Sequence, residues 1–133
     1  MSRENVEVVR RGAAALGEGD WEAVLETWHP QIEWDFEQEA VISGLHRGRE
    51  AVRDALLSFI TEWDDFGFEI EELTAAQDGR VVMLARVTGR GHASGVPLDF
   101  REATIWTVQD GRVVHVKEYF DRSQALEAVG LRE

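Results

Sequence analysis

The sequence predicts an α+β fold, a cone-shaped roll in which a strongly curved antiparallel sheet wraps around N-terminal helices. Three observations carry this. Apolar residues recur at helical spacing through much of the first half of the chain, up to Trp63. From Phe68 to Asp121 they alternate with polar ones, the period of a half-buried strand. Gln77-Asp78-Gly79 and Gln109-Asp110-Gly111 then separate alternating runs with the Asp-Gly dipeptide that tight hairpins favour.

Element by element, Val6, Val9, Ala13 and Leu16 fall on one face of a helix over Ser2 to Leu16, ended by Gly17-Glu18-Gly19. Asp20 is the natural N-cap of a short helix from Trp21 to Trp28, whose stripe is Trp21, Val24, Leu25 and Trp28 before His29-Pro30 stops it. Ile32 to Phe36 alternates as a strand, and Gly44 to Gly48 reads as a connector. Arg49 to Trp63 is a third helix with Val52, Leu56, Phe59, Ile60 and Trp63 on one side. Four strands follow, Phe68 to Ala75, Val81 to Thr88, Leu98 to Val108 and Val113 to Asp121. A tail helix from Arg122 to Val129 ends at Gly130, with Asp121 as its cap.

Composition narrows the functional classes. The 133 residues suffice for one domain, 1–133, with a core of its own. A formal charge of -12 argues against a nucleic-acid partner, because phosphate binding draws on clustered Lys and Arg and the only dense basic run is Arg47-Gly48-Arg49. Without cysteine there are neither disulfides nor thiolate zinc sites, and no apolar stretch suits a membrane span or signal peptide. A cytoplasmic protein with no membrane partner is expected. No Walker motif, nucleophile elbow or Ser-His-Asp arrangement is present.

The candidate chemistry lies in two glutamates. Reading every second residue, one face of the penultimate strand is Leu98, Phe100, Glu102, Thr104, Trp106, Val108, and one face of the last is Val114, Val116, Glu118, Phe120. Each acid is the only charged side chain on an otherwise apolar face, where an isolated carboxylate must be paired, hydrogen-bonded or protonated. With a three-residue hairpin loop, Val108 opposes Arg112, Trp106 opposes Val114, Thr104 opposes Val116 and Glu102 opposes Glu118. The two carboxyls, with Cβ atoms about 5 Å apart, then share a site, and the second proton binds well above the solution pKa. A two-residue loop shifts the register by one and parts them. The plainer alternative is that the acids reach solvent or an arginine such as Arg101, Arg86 or Arg47.

Other candidates are weaker. His46 in the connector could titrate at the mouth of the cone, whereas His29 closes a helix, and neither His92 nor His115 has a partner at metal-ligand spacing, so no metal is called for. Asp35, Glu37 and Glu39 form an acidic edge, most simply a solvated face. Val82, Leu84, Ile105 and Tyr119 lie on the outer parity, and leaving them wet would make an unusual apolar patch.

Four stretches together resemble the nuclear transport factor 2-like superfamily, and within it the SnoaL-like (polyketide cyclase type) branch. They are Gly19-Asp20-Trp21, His29-Pro30-Gln31-Ile32-Glu33-Trp34, Gly44-Leu45-His46-Arg47-Gly48, and Gly111-Arg112-Val113-Val114 leading to Glu118-Tyr119-Phe120-Asp121. The resemblance covers nearly the whole chain and implies the cone and a homodimer through the outer sheet face. It leaves the activity open, since the same cone hosts cyclases, isomerases, epoxide hydrolases, dehydratases and binding modules. Against ketosteroid isomerase, the tyrosine, base and protonated aspartate fall at Gly12, Phe36 and Thr104, so all three roles are missing. Val116-Lys117-Glu118-Tyr119-Phe120-Asp121 is similar to a strand motif of limonene-type epoxide hydrolases and puts Glu118 at a catalytic acid's position, but the companion Arg and Asp fall near Ala85 or Arg86 and Val87 or Thr88. The expectation is therefore a cofactor-independent cyclase, isomerase or hydrolase acting on a small apolar molecule, with Glu118 as acid or base and Glu102 setting its pKa. The lining would be Trp28, Trp34, Phe36, Phe59, Trp63, Met83, Ala85, Val87, Thr104, Trp106, Val116 and Phe120. The alternative is a non-catalytic ligand-binding or dimeric assembly module whose cone its own side chains plug.

Overall fold

The computed structural model describes residues 2–36, 44–119 and 121–131. The elements in order are α1 (Ser2–Glu18), α2 (Trp21–Thr27), β1 (Trp28–Phe36), β2 (Gly44–Arg47), α3 (Arg49–Ile60), β3 (Trp63–Ala75), β4 (Arg80–Gly91), β5 (Pro97–Gln109), β6 (Arg112–Tyr119) and α4 (Arg122–Ala128). They build an α+β fold with one open six-stranded sheet, ordered β2-β1-β6-β5-β4-β3.

Several boundaries differ from the sequence expectation. Trp28 leaves α2 and opens β1, because its backbone is already extended and Pro30 two residues on cannot continue a helix. Trp63 opens β3 instead of closing α3, which ends where Thr61 N–H donates to the Leu57 carbonyl and the chain turns. The connector Gly44–Arg47 is a strand, paired with β1 from Glu33↔Arg47 to Phe36↔Gly44. The sheet is mixed rather than wholly antiparallel, since β1 lies parallel to β6 while its other pairings are antiparallel. A parallel neighbour so far away in sequence leaves no trace in local alternation.

Helices α1, α2 and α3 cover one face of the sheet. Val9 and Ala13 of α1 and Val52 of α3 are fully buried there, with Trp28, Trp34, Met83, Trp106 and Val116. Gly12 sets how closely α1 approaches α2, because a Cβ at that position would stand 2.5 Å from the Thr27 hydroxyl oxygen. That contact leaves no room for the tyrosine that ketosteroid isomerase carries there. Asp20 caps α2 by accepting from Ala23 N–H at 3.2 Å, and Asp121 caps α4 by accepting from Gln124 N–H at 2.9 Å, as their sequence positions predict.

The opposite face of the sheet carries a second, smaller core. Val82, Ala103 and Ile105 are buried against Ala125, Leu126 and Val129 from α4 and its C-cap, with Leu84 and Tyr119 half-buried around them. The apolar patch of the outer parity is thus covered by the chain's own tail helix, and it gives no separate reason for a second copy to sit there.

Candidate active site

The β5–β6 hairpin decides where the acids stand. Its loop has two residues, Asp110 and Gly111, both with positive φ (51° and 79°), between the pair Gln109↔Arg112. This is the shorter loop, which on its own would have thrown Glu118 to the outer face. A β-bulge reverses that outcome. Val108 pairs with Val113 but Thr107 pairs with His115, so Val114 is an extra residue and the parity of β6 is restored. Trp106 then faces Val116 and Thr104 faces Glu118. The expected direct pair Glu102↔Glu118 is corrected to a diagonal one: Glu102 lies two residues along β5 from Thr104, on the same face, opposite Ala85 of β4. Diagonal neighbours on one face still lie within reach of side chains as long as glutamate.

The inner face can be followed in rows across the sheet. His46, Trp34, Val116, Trp106 and Val81 make one row; Glu118, Thr104, Met83 and Leu73 make the next; Glu102, Ala85 and Ile70 follow, then Phe100, Val87 and Phe68. Thr104, Met83 and Ala85 are completely buried. Phe100, on the same inner parity, is 39% exposed, so this face meets solvent on the Phe100 side of Glu102.

The two carboxyls are electrostatically coupled. Burial is the larger cause and the charge of Glu118 the second, and together they push the Glu102 pKa up from 4.5 to about 8. Glu102 is half-buried as a residue, and its place among packed apolar side chains on the inner face makes desolvation the leading cause. Near neutral pH it is therefore a carboxylic acid, able to donate a hydrogen bond or a proton. The coupling expected between the two glutamates is seen from the Glu102 side, where the Glu118 charge adds to the effect of burial.

The arginines offered as alternative partners are engaged elsewhere. Arg101 pairs with Glu71 at 2.7 Å, Arg86 with Asp99 at 2.6 Å and Arg47 with Glu33 at 3.0 Å. All three bridges lie on the outer parity or at the sheet edge.

Around the acids the aromatic side chains interlock. The Trp34 ring centroid is 5.2 Å from Trp106, 5.7 Å from Phe36 and 5.9 Å from Trp28, and Phe36 lies 5.3 Å from His46. Trp106 Nε1–H donates to the Thr104 hydroxyl at 2.8 Å, which fixes the indole one row from Glu118. Phe59 and Trp63 meet at 6.0 Å at the α3–β3 corner, with Phe66 on the other side of Phe59. Of the expected lining, Trp34, Phe36, Met83, Ala85, Thr104, Trp106 and Val116 come together around the acids, Val87 stands one row on towards Phe100, and Phe59 and Trp63 form the corner. Trp28 lies deeper, between Trp21 and Trp34. Phe120, Glu37 and Glu39 fall outside the described residues. Two surface grooves lie away from the acids: about 640 Å³ between α1 and the strands at Phe68 and Arg86, and about 600 Å³ by His29, Gln31 and Asp110.

One histidine departs from expectation: His29 sits in β1 and does not close α2, and its Nδ1 accepts from Gln31 N–H at 3.0 Å. His92 is held by one carboxylate and one backbone carbonyl: Nδ1 contacts Asp64 Oδ1 at 2.6 Å and Nε2 contacts the Thr61 carbonyl at 2.5 Å. These partners lie 28 and 31 residues away in sequence, so local spacing could not have shown them. Among the described residues no cluster of three or more His, Asp or Glu side chains could hold a metal ion, and no helix is long and apolar enough to cross a membrane.

Comparison with known proteins agrees with this geometry. Residues 9–116 match the SnoaL-like domain. An uncharacterized protein of Mycobacterium tuberculosis is 27% identical over 125 residues, 93% of this chain and 94% of that one. The structure of Bal32a, from a soil-derived mobile gene cassette, superposes with a TM-score of 0.80 at 27% identity, covering 96% of this chain and 97% of the other. A putative SnoaL-like polyketide cyclase from Jannaschia shares the fold, with a TM-score of 0.74 at 24% identity over 99% and 95% of the two chains. With the helices, the mixed open sheet and the matched span in agreement, the chain belongs to the SnoaL-like domain family of the NTF2-like fold.

Proposed function

We propose that the protein is a cofactor-independent acid–base enzyme acting on a small, mostly apolar carbonyl compound, with Glu118 as the base and Glu102 as the acid. The observation that carries this reading is the Glu102 carboxyl held neutral up to about pH 8 one diagonal step from Glu118, on a face otherwise built of Trp, Phe, Met and Val. Two like carboxyls with separated affinities for the proton are what a proton transfer in both directions needs. Ionised Glu118 takes a proton from the carbon beside the carbonyl, while Glu102 donates to the carbonyl oxygen as the enol forms. Where a carbon–carbon double bond is conjugated with the enol, Glu118 returns its proton to the far carbon of that bond while the enol O–H gives its proton back to Glu102, which is an isomerisation. Attack of the enol carbon on a second carbonyl of the same molecule gives ring closure, the enol O–H returning its proton to Glu102 and the new alkoxide taking the proton from Glu118, so in both cases the two glutamates end the cycle as they began.

The test is deuterium exchange at the α-carbon of 1-tetralone in D2O, followed by NMR. The wild type should accelerate exchange over buffer, Glu118→Gln should abolish the acceleration, and Glu102→Gln should reduce it. Exchange that is absent in the wild type, or indifferent to Glu118→Gln, contradicts the proposal. The interlocked packing of Trp28, Trp34 and Trp106 favours a second reading, a binding or assembly module with a plugged cone, and lack of exchange would support it.

A further inference from the structure

Trp34 poses a question that packing alone does not answer. It is 2% exposed, and its indole N–H has no hydrogen-bond partner among the described residues. Leaving a buried donor unpaired costs about 1–3 kcal/mol, whereas phenylalanine would fill most of the same apolar space at no such penalty. The contrast with Trp106 is internal to the site, because that neighbouring indole is satisfied by Thr104. Trp63 also lacks a partner for Nε1, but as a half-buried residue at the α3–β3 corner it can reach water by a small movement. Trp34 cannot. Its strand partner Val116 is two residues before Glu118, so the backbones at the two sites are separated by roughly 7 Å along the strand, the span of one fused ring system.

We propose that the Trp34 indole N–H is the donor that binds an uncharged oxygen of the ligand, so that the site takes a flat ring compound bearing a carbonyl or hydroxyl at its inner end. This rests on the proposed function for the location of the site, and it adds which side chain orients the molecule and which atom of the molecule is recognised. A cation at this position would be repelled by the indole N–H, and a ligand without an acceptor would leave the donor unmet.

The experiment measures calorimetric binding of 2-acetylnaphthalene and of 2-isopropenylnaphthalene, which has the same shape without the acceptor oxygen, to the wild type and to Trp34→Phe. The wild type should prefer the ketone by about tenfold, and Trp34→Phe should lose that preference while unfolding at the same or a higher temperature. An unchanged preference in Trp34→Phe overturns the proposal, as does failure of the wild type to bind either compound. Should Trp34→Phe not fold, 3-benzothienylalanine at position 34, which keeps the ring size and removes the N–H, replaces it with the same expectation. Because binding and not exchange is read, the ketone preference of the wild type and its loss in Trp34→Phe test this inference, while exchange in Glu118→Gln and Glu102→Gln tests the assignment of the two acids.

Discussion

Replacing Glu102 by glutamine keeps the side chain's size and its ability to donate a hydrogen bond, and removes its titration. In the wild type the folded chain holds a proton on Glu102 up to about pH 8, while the unfolded chain releases it near the ordinary value of 4.5. Between those values the folded state binds more protons than the unfolded one, so stability falls as pH rises and levels off above the folded pKa. With one pKa unit worth 1.36 kcal/mol, the loss reaches at most about 3 kcal/mol by pH 7 and about 5 kcal/mol above pH 8.5. Partial exposure of the residue brings the expected values to roughly half of those limits. The assay is urea unfolding of the wild type and Glu102→Gln at half-unit steps from pH 5 to 9. The difference between the two curves should widen in favour of the variant by about 2 kcal/mol across that range. Parallel curves, or a variant that loses ground as pH rises, would refute the reasoning about this carboxyl.

Three further outcomes follow from other contacts. Thr104→Val strips the acceptor from the buried Trp106 indole and should cost about 1–3 kcal/mol in denaturant unfolding, against a few tenths if the hydroxyl does not matter. Leu126→Ala should cost about 2–5 kcal/mol, because Leu126 is 4% exposed beneath α4 on the outer sheet face; a near-neutral result would mean that α4 does not dock there. His92 faces two acceptors, the Asp64 carboxylate and the Thr61 carbonyl, so both its nitrogens must carry hydrogen for both contacts to hold. The Thr61 carbonyl first and the Asp64 side chain second raise its pKa above 6.5; its stabilising contribution is present below that value and lost as pH rises through the folded pKa. An NMR titration of the His92 ring with its midpoint at or below 6.5 would contradict this.

Much of the architecture was legible in the alternation of apolar residues, and the caps Asp20 and Asp121 were legible in their residue types and positions. What escaped was non-local. The parallel pairing of β1 with β6 brings together Trp34 and Val116, whose partnership no local pattern encodes. The inner-face placement of Glu102 and Glu118 was read correctly, but through a loop of the wrong length. The chain reaches the same parity by combining a two-residue turn with the extra residue Val114, two departures from a regular ladder that offset each other. A bulge at Val114 has no signature in a run of Val113-Val114-His115-Val116, where every register leaves a valine facing inward. The apolar outer face was also visible. Its covering by α4 was not, because a seven-residue helix with Ala125 and Leu126 buried is too short to show which surface it packs on.

The most direct measurement is the titration of the Glu102 side-chain carboxyl by carbon-13 NMR in the unmodified protein. A single carboxyl resonance moving with a midpoint near pH 8, and moving to lower pH without returning to the ordinary glutamate value in Glu118→Gln, is what burial reinforced by a neighbouring charge predicts. A midpoint near 4.5 in the wild type would mean that Glu102 is an ordinary solvated carboxylate, and the acid–base pair on the inner face would have no acid.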